Sequence, residues 1–183
     1  MSVAWAQLGF SLRLFERYPE AVRAYRRALR QCPHGTWWMM ELANVYNDVG
    51  RHRMAIRYFR KALRREPSME EALTGLGFAY WRADEGEVAI DVLESALALY
   101  PGNNWAWCVL GDAYYFEGYY PEAVRAYRRA AELEPSALNL RGLASALEKR
   151  GEFGAAAEAR IRAEQAAARE AEASAASHRQ RAK

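Results

Sequence analysis

The chain has 183 residues, 51% of them apolar, with 26 basic and 23 acidic side chains and a formal net charge of +3. No run of 18 apolar residues occurs, so no transmembrane helix and no membrane insertion are expected. The two cysteines, Cys32 and Cys108, form no framework spacing, which suits reduced thiols and a cytoplasmic protein.

In chain order, residues 1–15 lack the basic start of a signal peptide and instead predict a helix. Val3, Ala4, Trp5, Ala6, Leu8, Phe10, Leu12, Leu14 and Phe15 surround it with apolar groups, broken only by Gln7, Ser11 and Arg13. A helix apolar on every side is normally buried on every side, whereas a terminal repeat helix should have a polar outer face. Val3, Phe10 and Leu14 are therefore a candidate docking surface for a partner or for a second copy, as a homo-oligomer; otherwise the chain is a piece of a longer array. The second helix begins the string Tyr18-Pro-Glu-Ala-Val-Arg-Ala-Tyr-Arg-Arg-Ala28, which recurs unchanged at Tyr120 to Ala130. The offset is three periods of 34, and a fixed period in that range marks a repeat architecture.

Every framework position keeps this period. Leu8, Leu42, Leu76 and Leu110 are each followed by a small residue, then come Leu12, Tyr46, Tyr80 and Tyr114. Ala21, Ala55, Ala89 and Ala123 precede Tyr25, Phe59, Leu93 and Tyr127, and each unit closes on Pro33, Pro67, Pro101 or Pro135. Residues three and four apart share a helical face, so each unit reads as a helix–turn–helix with small residues where the two backbones approach. Pro19 and Pro121 fall where a second helix should begin, and Ser68-x-x-Glu71 predicts a capping box opening the third unit.

These positions resemble the tetratricopeptide repeat family, whose pattern is Trp, Leu-Gly and Tyr on a first helix, then Ala, Phe/Tyr and Ala on a second, then Pro. Four units match, at about 2–35, 36–69, 70–103 and 104–136. A fifth, at about 137–165, departs from the pattern at Arg160 and has no closing Pro. The array thus covers 2–165, and the Ala-rich stretch 166–183 predicts a helical cap fraying from Ser174 into a disordered tail. The resemblance implies an all-α fold, a right-handed α-solenoid whose concave groove binds proteins.

In this family the groove is lined by the first helix of each unit, on the face away from the framework. The candidates are Phe10, Arg13, Trp37, Met40, Asn44, Asn47, Phe78, Trp81, Arg82, Trp105, Asp112, Tyr115 and Phe116, with Glu71, Thr74, Cys108, Arg141, Ser145 and Glu148 beside them. Trp and Tyr supply large contact area at low entropic cost. Asn44 and Asn47 could bond a peptide backbone, and Asp112 and Glu148 a basic residue. The alternative for Trp37 and Trp81 is packing between neighbouring first helices. The basic clamp by which some family members hold the C-termini of chaperones is not matched, since Ala6, Met40 and Thr74 stand where cations are wanted.

Charge is segregated: residues 13–65 carry net +9, residues 66–122 net −10 and residues 123–183 net +4. This is either a solvated face or a patch that steers an acidic partner or the chain's own acidic segment. The basic faces lack aromatic interleaving, which disfavours nucleic acid. His34 and His52, in predicted turns, and His178, in the tail, have no partner at catalytic or metal spacing, so no enzyme activity, cofactor or metal is expected. Two classes remain: a non-catalytic adaptor binding a partner segment in the aromatic groove, and an assembly subunit docking through its first helix and charged faces.

Overall fold

The computed structural model describes residues 2–181, and side chains through residue 176. The fold is all-α, with ten helices and no strand among the described residues. The first helices of the repeats are α1 (Ser2–Leu14), α3 (Thr36–Asp48), α5 (Glu70–Arg82), α7 (Asn104–Phe116) and α9 (Ala137–Lys149). The second helices are α2 (Tyr18–Gln31), α4 (His52–Leu63), α6 (Gly86–Leu99), α8 (Tyr120–Leu133) and α10 (Phe153–Arg181). Helices α1–α6 lie in one compact unit, Met1–Tyr100, and α7–α10 in a second, Pro101–Lys183.

The turn between paired helices has one recurring cause. Glu16, Gly50, Asp84, Gly118 and Gly151 all have positive φ. In each turn the following residue's N–H reaches back five residues, as in Arg17 to Leu12 (2.8 Å), Arg51 to Tyr46 (2.8 Å) and Glu152 to Leu147 (2.9 Å). This left-handed stop ends the first helix and returns the chain antiparallel. Three turns use glycine, which meets no steric cost there; Glu16 and Asp84 do.

Within the first unit, α3 packs on α2 and α5 on α4. Tyr25 and Phe59 are the large residues at the centre of this core, both buried. A Cβ at Gly9 would come 2.9 Å from the Tyr25 ring, and one at Gly75 would come 2.4 Å from the Phe59 ring. The small residues are thus the space the rings occupy. In the second unit Tyr127 takes the same place, against both Gly111 and Gly142. The fifth pair has Arg160 at this position, exposed and paired with Glu148. Helix α10 instead covers α9 with Ala156, Ala159 and Ala163, and Glu170 accepts a hydrogen bond from the Ala137 N–H (2.9 Å).

Three local expectations are corrected. The N-cap of α5 is Met69, without a side-chain bond, so Ser68 and Glu71 form no capping box; the Ser68 carbonyl accepts from the Tyr100 hydroxyl. His52 is the first residue of α4, not a turn residue. Helix α10 continues past Ser174 to Arg181, an Ala- and Glu-rich run of high helix propensity; Ala182 and Lys183, the end of the expected tail, lie outside the described residues.

Candidate functional site

One register of the first helices is exposed or half-exposed in each of the first four repeats: Val3, Phe10 and Leu14 on α1; Trp37, Asn44 and Asp48 on α3; Glu71, Phe78 and Arg82 on α5; Trp105, Asp112 and Phe116 on α7. Steps of seven and four residues keep each set on one helical stripe. Trp37 is 51% exposed, Trp105 48% and Phe116 72%. Most framework residues of the same helices face the core, and the repeat pattern requires no large ring at these exposed positions.

In the first unit, Phe78 and Trp81 lie 5.7 Å apart at a tilt, and the Arg82 guanidinium lies 5.6 Å from the Trp81 ring. In the second, Tyr115 meets Phe116 edge-on at 5.7 Å and Tyr120 at the same distance. Each unit therefore presents an aromatic strip braced by ring contacts.

Several polar candidates are already engaged. Arg13 donates to Asp48 (2.7 Å) and lies 3.5 Å from Glu41; although burial opposes its charge, these carboxylates hold its pKa above the usual value. The Asn47 amide donates to the Gly75 carbonyl (3.4 Å), joining α3 to α5. Asp112 accepts from the Tyr127 hydroxyl, and burial pushes its carboxyl above the usual range despite that bond. Glu148 pairs with Arg160. Met40 is corrected: it is buried in the first unit's core and lines no surface. Thr74 and Cys108, one and two periods on, are buried too, because this position faces the neighbouring helices.

Sequence reasoning missed Glu41. It is buried, accepts from the Tyr25 hydroxyl (3.4 Å) and has its pKa raised, chiefly by burial. At its register position the later repeats carry Gly75, Val109 and Gly142 and the first carries the uncharged Gln7, so Glu41 is the one charged residue in the series, and that was the available signal. It also missed Asn139, whose amide donates to the Asn104 side chain (2.8 Å) and the Glu134 carbonyl (2.9 Å). Among the described residues no His/Cys/Asp/Glu group could hold a metal ion; the His178 side chain lies outside them. Likewise, none of the helices described is long and apolar enough to cross a membrane.

Three family models, each described as tetratricopeptide repeat, match residues 1–66, 40–104 and 105–137. The chain belongs to the tetratricopeptide repeat family. A crystal structure of MamA is 27% identical, with 90% of this chain and 96% of that chain covered and a TM-score of 0.79. A second MamA crystal structure is 26% identical, covering 93% and 94%, also at 0.79. A thermophilic TPR protein in Thermus thermophilus is 21% identical, covering 91% and 92% at a TM-score of 0.75, which shows the shared fold. No curated protein sequence matches. Tetratricopeptide repeat proteins are in general non-catalytic interaction modules, and the array here is a protein–protein interaction scaffold.

Proposed function

We propose that the chain is a non-catalytic adaptor that binds a peptide or partner segment along the exposed stripes of its first helices, the face that lines the groove in this family. One observation carries the reading: Trp37, Trp105 and Phe116 are about half exposed or more, at positions where the repeat pattern requires no large ring. Large rings held in place lose little entropy on binding, and such residues dominate interface energetics. Because Arg13, Asn47 and Asp112 are committed to intramolecular bonds, the ligand's contribution is chiefly apolar or aromatic. The free cysteines, Cys32 and Cys108, support a cytoplasmic location.

The test is affinity capture from extract of the source cells, with wild type and with Trp105→Ala and Phe78→Ala as separate variants. A partner held by wild type and lost by either variant supports the reading. A partner held equally by all three places the binding surface elsewhere.

A further inference from the structure

A second face of α1, distinct from the Val3–Phe10–Leu14 stripe, lacks the cover that its counterparts have. Leu8 is 43% exposed, whereas Leu42 and Leu76, at the same position in α3 and α5, are 0% and 6% exposed. Those two are covered because α3 packs on α2 and α5 on α4. Ala4, Ser11 and Phe15 continue the face, with Phe15 78% exposed; Ala72, Val45 and Ala79, one or two periods along from Ala4 and Ser11, are 0% exposed. The α1–α2 side of this face is a groove of about 460 Å³ with Trp5, Leu8 and Leu12 on its floor and Arg23, Arg26, Arg27 and Arg30 along its wall. The Arg27 guanidinium sits 4.3 Å over the Trp5 ring. The one acidic residue lining the groove, Glu20, is already paired with Arg17 at 2.8 Å.

We infer that this groove is a docking site for an amphipathic helix of a partner protein, with an apolar stripe flanked by acidic side chains. The shape comes from the repeat itself. Moving one period along, Trp5, Ala24 and Arg27 become Met39, Tyr58 and Lys61, and the helix lying beside those three is α2, through Arg26, Leu29 and Arg30. The groove on α1 is the same seat without its helix. The charge comes from the four arginines, which a basic or neutral helix would leave unanswered and an acidic one would pair. A second copy fits poorly. Its α10 offers Ala157, Arg160 and Glu164 where α8 buries Val124, Tyr127 and Ala131, so the face in repeat register is not apolar, and its exposed Ile161 stands between Arg160 and Arg162, which would meet the groove's own arginines. Two α1 faces meeting about a two-fold axis would bring arginines against arginines.

The experiment titrates the 183-residue chain into a labelled synthetic helical peptide with leucines on one stripe and glutamates flanking it. Controls are the same peptide with lysine flanks and a sequence-scrambled one. The Glu-flanked peptide should bind, about tenfold or more weakly to Arg23→Glu/Arg27→Glu, and not at all to Leu8→Glu, with helicity unchanged in both variants. The charge-reversed variant should instead take the Lys-flanked peptide, and Trp105→Ala should bind like wild type. Absence of binding, or equal binding of the scrambled or Lys-flanked peptide to wild type, overturns the proposal. So does a concentration-dependent dimer that Leu8→Glu abolishes, which would make a second copy the occupant.

Discussion

Tyr127 is held on three sides, by Gly111, by Gly142 and by its hydrogen bond to Asp112. A Cβ at Gly142 would fall 2.4 Å from the ring. Gly142→Ala gains about 1 kcal/mol of helix propensity but overpacks by about 1–3 kcal/mol, so chemical denaturation should show a net loss; Gly102→Ala, with nothing within 4 Å, should show none. Glu16 is the converse case. Its left-handed backbone strains any residue with a Cβ, so Glu16→Gly should raise stability by about 1 kcal/mol in the same assay. Asp112 makes stability depend on pH. Its folded pKa lies above its unfolded value, so the folded state binds the proton more tightly. Its contribution is complete below the unfolded value and is lost as pH rises through the folded one. The stability of wild type relative to Asp112→Asn should therefore improve as pH is lowered from neutral into the carboxylate range; a difference independent of pH would contradict this assignment.

At the scale of the helix, exposure separates the two ends of the chain's helices. Helix α1 is apolar on a face without cover, while α10 ends its unit with alanines inward and charge outward. Deleting α10 would uncover Leu140, Leu143 and Leu147 and free the Ala137 N–H from Glu170. Circular dichroism should then show more helix lost than the 29 residues removed, because α9 melts with it. Cys108 reports on α7. Burial pushes its thiol up to about 12, so a thiol reagent at mildly alkaline pH should leave it unmodified until the protein unfolds.

For the whole molecule, the repeat plan was plain in the sequence because one sterically demanding packing recurs at fixed spacing. A large ring needs a small partner, and Gly9 with Tyr25 or Gly111 with Tyr127 states that need in letters alone. The site was legible only in part. Trp37, Trp105 and Phe116 stand out because the framework does not ask for them. Met40 could not be told from them, since facing outward or into the next helix depends on a rotation of a few tens of degrees about the helix axis. The bonds that commit Arg13, Asn47 and Asp112 join residues 15 to 35 apart in sequence, which no local pattern reports. The central claim is that surplus aromatics on the first helices bind a partner. The most direct measurement is calorimetry of the captured partner with wild type and Trp105→Ala at low and moderate salt. Loss of about 2 kcal/mol of binding free energy in the variant, with little dependence on salt, is the predicted result. An affinity unchanged by Trp105→Ala but falling steeply with salt would contradict it.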